Sequence, residues 1–435
     1  MFIYRGPLPP DSLLFRGRTA ELDKLMRLCQ GPVQAYAIVY GGRQTGKTSL
    51  LLRLSVMLPE SVWACRVDFQ RIPGATSPQV YGYLAQCVSE CLSANDQASR
   101  AAVENDTSGQ IDLVALRDLL DEHFNEDELR DLCFEMETDY ESLSAASKKG
   151  KARELVADCK RKERTLELVE RCRKLRPKAA WPRQTLSLSV EGTPVHDAPA
   201  LVKFLCQAIG QPDVNRFVLL LEELGALPQS TREDLANVVR SIFTGRFDAS
   251  CRALSKLMVV LAGSVELYEL AASQVSTLHN ICNEIYLPDL SDQEAVGLVA
   301  DELIGLGLPY TDAETFGQAI YTCAGGHPYL TQRIGALLEE SLVGGKQLTP
   351  ASVDRCVEQL LRDDPLLHHL RQAVEEQLLL TACKSLLNKQ LRFSRLDEEM
   401  ARLELLGLAG ESEGYWTARN RLLERALREW TVASS

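Results

Sequence analysis

The run Gly41-Gly42-Arg43-Gln44-Thr45-Gly46-Lys47-Thr48 fits the pattern G-x-x-x-x-G-K-[ST], whose residue types serve to hold a polyphosphate. Its glycines let backbone N–H groups close around phosphate oxygens, and a helix starting at the end of the loop adds the partial positive charge of its first turn. On this reading Gly41, Gly42, Arg43, Gln44, Thr45, Gly46, Lys47, Thr48 and Ser49 surround the nucleotide. Lys47 reaches the β and γ phosphates as a point charge, and the Thr48 hydroxyl binds Mg²⁺, so ATP and Mg²⁺ are the expected cofactors. A second set of chemical groups closes the apolar run Phe217 to Leu221, namely Glu222 and Glu223. At the end of a core strand one such carboxylate supports the metal and the next polarises an attacking water. Glu222 is therefore a candidate metal ligand, and Lys47, Glu222 and Glu223 are the candidate catalytic residues. The competing reading is a strand that ends at the surface in solvated carboxylates.

These groups need a scaffold, and the flanking sequence describes one. Ala35 to Tyr40 reads as a buried strand, and Ser49 to Leu54 continues as a helix. Further strands are expected at Trp63 to Phe69, Arg216 to Glu223 and Lys256 to Gly263, with helices at Pro78 to Ser93 and Thr231 to Phe243. Alternation of this kind predicts an α/β fold with a mostly parallel sheet covered on both faces. Ser264, directly after the last strand, suits either a γ-phosphate sensor or the N-cap of a helix over Val265 to Ala272. Phe15-Arg16-Gly17-Arg18, just before a helix near Ala20, is a loop of the sort that folds over adenine. Gly326-His327-Pro328 interrupts a helical region, and Arg240 and Arg246 are either solvated charges or groups acting across a subunit interface.

Between the second and third strands the composition changes. Residues 95–182 carry no strand pattern and read as a helical insertion. Helical periodicity runs from Ile111 to Phe124, and Asn125 with Glu128 three residues on has the form of a capping box. Helices follow around Lys151 to Lys162 and Thr165 to Leu175, and Pro177 and Pro182 close the segment. Charge divides it: Asp112 to Glu141 holds 12 acidic and 2 basic residues, whereas Lys148 to Lys178 holds 13 basic and 5 acidic. An acidic and a basic pole on one module permit head-to-tail contact between copies.

Leu290 to about Leu342 reads as helices, and after Gly344-Gly345 a separate unit is expected. It is helical to Leu387 and again over Phe393 to Leu406; a hairpin of Leu408 to Gly410 and Tyr415 to Thr417 follows, then a helix over Asn420 to Trp430. That order suggests a winged helix-turn-helix. Its candidate reading helix, Ser394 to Leu406, carries Asp397, Glu398, Glu399 and Glu404 against Arg395 and Arg402, a poor match for a groove lined with phosphates. A protein-contact role is preferred, with DNA binding kept as the alternative.

The 435 residues carry a net charge of −12, which argues against a general nucleic-acid or anionic-membrane surface. Thirteen cysteines without C-x-x-C spacing suit reduced, buried thiols in the cytoplasm. No signal-peptide core and no apolar stretch of ~20 residues is present, so a membrane role is not expected. H-E-x-x-H, zinc-type cysteine spacing and G-x-S-x-G are all missing, which leaves the phosphate loop as the chemical centre.

The ordered set FRGRTAEL, GGRQTGKTS, FVLLLEEL, LAGS and GGHPYL, then a winged helix, resembles the AAA-like ATPases of the STAND type, bacterial nucleotide switches. That resemblance implies four regions: an ATPase core of residues 1–94 and 183–289, the insertion 95–182, a helical lid 290–345 and a winged helix 346–435. It maps Lys47 and Thr48 to the phosphate and Mg²⁺ residues, Glu222 and Glu223 to the Walker B acids, Arg18 to the N-terminal nucleotide loop and Pro328 to the lid position near adenine. Glu222 stands where Asp is usual and Ser264 where many such switches have Arg, departures that count against efficient turnover. The insertion, through FNEDELRDLCFEMETDYESL, GKARELVADCKRK and LELVERCRKLRP, resembles the effector-associated or death-like domains of bacterial conflict systems. What the two resemblances imply together is a slow ATP-controlled switch in antiviral defence, a nucleotide-dependent homo-oligomer that recruits an effector bearing a similar helical domain. The alternatives are an ATP-dependent transcription regulator and an oligomeric remodelling ATPase.

Overall fold

The computed structural model describes residues 1–101, 113–136, 138–143, 145, 147–162, 164–176, 195–212, 214–272, 278–349 and 351–433. Pro177 and Pro182 lie outside the described residues. The chain forms two compact units, one of Met1–Val88 with Pro194–Ser435 and one of Ser89–Thr193.

In chain order the first unit opens with α1 (Thr19–Gln30), β1 (Tyr36–Tyr40), α2 (Lys47–Met57) and β2 (Val62–Asp68). α3 (Ser77–Ala101) leads into the second unit, which holds α4 (Leu113–His123), α5 (Glu126–Glu135), α6 (Lys148–Arg161) and α7 (Thr165–Leu175). The first unit resumes with α8 (Ala198–Ile209), β3 (Arg216–Glu222), α9 (Gln229–Gly245), β4 (Leu257–Gly263), α10 (Val265–Ala272) and β5 (Cys282–Tyr286). Its helical remainder comprises α11 (Asp292–Gly305), α12 (Tyr310–Ala324), α13 (Pro328–Val343), α14 (Ala351–Asp363), α15 (Pro365–Glu376), α16 (Leu380–Asn388) and α17 (Glu398–Leu406). The strands β6 (Ala409–Ser412) and β7 (Tyr415–Ala418) and the helix α18 (Arg421–Ala433) complete it.

The five strands β1 to β5 pair in the order β2-β3-β4-β1-β5, every neighbouring pair parallel. All five residues of β1 and all seven of β4 are buried, as strands covered on both faces must be, which is why their sequences read as unbroken apolar runs. The register sets Asp68 beside Glu222, Glu222 beside Ala262 and Tyr40 beside Gly263, so the carboxyl ends of β1 to β4 align along one end of the sheet. In open parallel sheets that end is where ligands bind. The edge strand β5 escaped the sequence reading because Cys282–Tyr286 is short and only partly apolar.

α11 to α18 do not form two separate cores. Leu298, Ile320 and Leu330 of the first three helices belong to the same buried cluster as Leu360, Leu403 and Leu427 beyond Gly344-Gly345. α17 begins at Glu398 rather than at Phe393 or Ser394, because the Asp397 side chain accepts a hydrogen bond from the Met400 N–H and caps the helix there. The residues before it belong to the hairpin instead: the Phe393 N–H donates to Gly414 and its ring lies 4.3 Å from that of Trp416.

The second unit has its own core, in which Leu116 and Leu120 of α4 and Phe124 just after it meet Leu129 and Leu132 of α5, Leu155 of α6 and Leu168 of α7. The capping box is present in both halves, Asn125 accepting from the Glu128 N–H at 2.8 Å and Glu128 accepting from the Asn125 N–H at 3.0 Å. All thirteen cysteines are free thiols, and burial pushes those of Cys133 and Cys172 up to about 12. Among the described residues no helix is long and apolar enough to cross a membrane. Truncation of the fully buried Leu120 to Ala is expected to cost the second unit ~2–5 kcal/mol, and Asn125→Ala ~1 kcal/mol, in hydrogen exchange of α4 to α7.

Candidate nucleotide site

The phosphate loop springs from the end of β1, where the Gly41 N–H donates to the Gly263 carbonyl of β4 at 3.3 Å. Gly46, with φ +89°, supplies the left-handed turn that lets Lys47 begin α2, and a Cβ there would touch nothing within 4 Å. Its requirement is conformational. The Thr45 hydroxyl donates to the Gly42 carbonyl at 2.8 Å and stiffens the loop. Lys47 Nζ donates to the carbonyls of Gly41 and Gly42, both at 2.9 Å. Burial holds its pKa below the ordinary lysine value, with Glu266 and Glu223 opposing. A half-buried ammonium hydrogen-bonded to neutral carbonyls is poised to accept a phosphate. Thr48 is half-buried in the first turn of α2, and the Ser49 hydroxyl accepts from the Leu8 N–H at 3.0 Å, tying the N-terminal segment to this helix.

The acids gather on the opposite side. Glu222 is almost fully buried and is ion-paired with Arg66 of β2, whose guanidinium also lies 3.6 Å from Asp68. Glu223 adopts φ +58°, and burial raises its pKa, Lys47 working against the shift and Glu266 with it. The Ser264 hydroxyl donates to Glu266 at 2.8 Å and its N–H donates to the same carboxylate at 3.2 Å, so Ser264 is bound up with the start of α10. Glu266 is thus a further carboxylate of the site, one that its helical position hides in sequence.

The third side comes from distant parts of the chain. Arg18, at φ +64°, donates to the carbonyls of Thr45, at 3.1 Å, and Pro288. Burial lowers its pKa. Arg419, between β7 and α18, makes a two-pronged hydrogen bond with Asp289 at 2.7 and 2.9 Å, both side chains largely buried. A Cβ on Gly42 would stand 2.8 Å from Gly407 Cα and 3.2 Å from an Arg419 nitrogen. The phosphate loop and the turn from α17 into β6 therefore touch backbone to backbone, and Gly42 serves close approach where Gly46 serves turning. Three further contacts join the C-terminal elements to β5 and α10: Arg395 stacks over Tyr286 at 3.8 Å, Tyr268 donates to the Arg395 carbonyl at 3.2 Å, and Arg402 lies 3.6 Å from Glu269. Pro328 is the first residue of α13, capped by the buried His327. Arg246 serves packing, its guanidinium 3.7 Å over Phe243 and bonded to the Val33 carbonyl.

The structure thus brings together the loop, Arg18 and the strand-end acids named from sequence. It adds Arg419, Asp289, Glu266 and Arg66, none of which sits in a recognisable spacing. The residues suit a metal–triphosphate: a left-handed glycine turn, a lysine at a helix start and the buried Glu222 carboxylate at a strand end. Bound Mg²⁺ would screen the phosphate charge from Glu222 and Glu223, with Thr48 and Glu222 as its holders, and for that Glu222 must exchange its hold on Arg66.

Sheet order, loop and acids together define the P-loop ATPase fold in its AAA-like form. Residues 116–177 match the family model of effector-associated domain 7. Across the whole chain the structure is similar to the Walker-type ATPase PABY2304 of Pyrococcus abyssi, with TM-score 0.55 and 12% identity over 98% of this chain and 99% of that one. It is also similar to the ORC2 protein of Aeropyrum pernix in its ADPNP–ADP complexes, with TM-score 0.47 and 11% identity over 99% and 97% of the two chains. The RuvB Holliday junction branch migration motor of Thermotoga maritima matches with TM-score 0.36 and 12% identity over 93% and 92%. No curated protein matches the chain.

His327 gives the site a pH signature. Burial, joined by Arg419 and Arg18, lowers its pKa from 6.5 to about 4 against the pull of Asp289. The unfolded chain therefore binds the proton more readily between those values, so the stability tied to neutral His327 is complete above pH 6.5 and is lost as pH falls towards 4. The full loss is on the order of 3 kcal/mol. Urea titrations across this window are expected to show that slope in the wild type and a shallower one in His327→Gln.

Proposed function

We propose that this protein is an ATP-controlled signalling switch, in which nucleotide at the phosphate loop sets the position of the C-terminal winged helix and, through it, the availability of the effector-associated domain to an effector carrying a similar helical bundle. The observation that supports this most is the packing of Gly407 and Arg419 directly on Gly42. A triphosphate offers Arg419 the same paired acceptors that Asp289 offers, so nucleotide and Asp289 compete for one guanidinium. A ligand that binds two arrangements with different strength shifts the balance between them, which is all a switch requires.

The chemistry of this chain divides accordingly. Lys47 and the loop N–H groups bind the phosphates, Thr48 and Glu222 hold the metal, and Glu223 orients the attacking water. Arg18 positions the loop through Thr45, and Pro328 starts the lid helix beside it. Hydrolysis is slow, because Glu222 is held by Arg66 and Ser264 supplies no positive charge. Such a protein would act in bacterial antiviral defence, in the cytoplasm and as a homo-oligomer whose association nucleotide strengthens. The DNA-binding alternative is weakened by α17: Glu398 and Glu399 are exposed, while Arg395 is paired with Glu404 and Arg402 lies against Glu269.

Lys47→Ala is expected to abolish Mg-ATP binding and nucleotide-dependent co-purification of the effector together. Arg419→Ala is expected to leave ATP binding within about tenfold of wild type while effector association stops responding to nucleotide. Co-purification that persists unchanged in Lys47→Ala without nucleotide would refute the coupling.

A further inference from the structure

The second unit carries two surfaces that the nucleotide switch does not use. On α5, Asp127, Asp131 and Phe134 occupy positions i, i+4 and i+7 and so share one face of the helix. Phe134 is 85% exposed, an unusual state for a large aromatic side chain beside acids. Asp131 makes no ion pair among the described residues, and Asp127 is held only by Arg130 at 3.3 Å on the open surface.

Elsewhere on the same unit lies an open groove of about 890 Å³. Leu113, Leu143 and Val156 give it apolar walls, and Arg117, Arg153 and Lys160 give it a basic rim. The acids within it are already committed. Asp158 accepts from the Thr138 hydroxyl at 2.9 Å and pairs with Lys162 at 2.7 Å, Glu154 accepts from the Ala145 N–H at 3.3 Å, and Asp139 accepts from the Glu141 N–H at 3.1 Å. Arg153 and Lys160, exposed on one face of α6, enter no ion pair among the described residues. Five basic side chains against three carboxylates leave the groove lining with a net positive charge, whereas the α5 face is negative.

We infer that the Asp127–Asp131–Phe134 face of α5 docks into the Leu113–Leu143–Val156 groove of a second copy of this chain. The aromatic ring meets apolar walls while the carboxylates meet Arg153 and Lys160, an anchor with a charged rim. Both halves of the contact are present on one module, which is why the occupant is a second copy. The two patches are different surfaces, so the contact is heterologous and propagates head to tail into a ring or a filament, where a self-complementary patch would stop at a dimer. Charge contributes much of the specificity, and association weakens as salt rises.

The test uses the full chain without nucleotide or effector, followed by analytical ultracentrifugation over a concentration series at low and high salt. Wild type is expected to self-associate reversibly, more strongly at low salt. D127K/D131K and R153E/K160E each set like charges against each other and are expected to weaken association about tenfold or more, with thermal melts lowered only slightly, because all four positions are exposed and only Asp127 and Lys160 sit in helix-end turns. An equimolar mixture of the two variants restores opposite charges at every contact and is expected to assemble again. A monomeric wild type, variants that associate like wild type, or a mixture of well-folded variants that stays dissociated would each overturn the inference. None of these results bears on the response to ATP, so the switch reading stands or falls separately.

Discussion

The two-pronged bond between Arg419 and Asp289, made across the mouth of the phosphate loop, is the constraint on which the rest of the first unit depends. It joins a residue between the C-terminal hairpin and helix to one just past the sheet's edge strand, and it does so where Gly42 and Gly407 leave no room for a side chain. Taking an arginine and a carboxylate out of water is costly, and the cost is recovered only through close, planar geometry of this kind. Removing one partner strands the other. The position of the C-terminal elements is thus written into the same few ångströms that a nucleotide must enter.

Around that bond the site is assembled from closely spaced charges, of which Arg18 and Glu222 are buried and Glu223 is exposed. Arg18, Lys47 and Arg419 are its cations, and Glu222, Glu223, Glu266 and Asp289 its carboxylates. Without phosphate each cation has a substitute partner: Lys47 has the loop carbonyls, Arg18 has Thr45 and Pro288, Arg419 has Asp289 and Arg66 has Glu222. A metal–triphosphate would compete for all of these at once. That competition, rather than any single contact, is what would make binding a rearrangement. The second unit stands apart in this respect, since its polarity lies in surface charge and an exposed phenylalanine, features of association rather than chemistry.

Much of this was legible in the sequence because the determining physics is local. A strand buried on both faces must be apolar throughout, a loop that wraps phosphate must contain glycines, and Asn125 with Glu128 must cap whatever helix follows them. The parallel sheet, the loop, the strand-end acids and the start of α5 could be read for these reasons. Hidden were the features that arise only when distant segments meet. Arg419 and Asp289 are 130 residues apart in sequence, and each is an ordinary surface-type residue until they pair. β5 lacked an apolar run because it lies at an edge, and α17 began late because Asp397 caps it, a choice decided by the Phe393 contact with the hairpin. The shared core of α11 to α18 was concealed by Gly344-Gly345, which turns the chain without dividing the packing.

The central claim is that nucleotide at the phosphate loop moves the C-terminal hairpin. The most direct measurement is fluorescence energy transfer between genetically encoded labels at Val56, exposed on α2, and Glu413, exposed at the hairpin tip, titrated with Mg-ATP. The account predicts a saturable change in transfer efficiency that is lost in Lys47→Ala. An efficiency that stays constant while ATP demonstrably saturates the wild-type protein would contradict it.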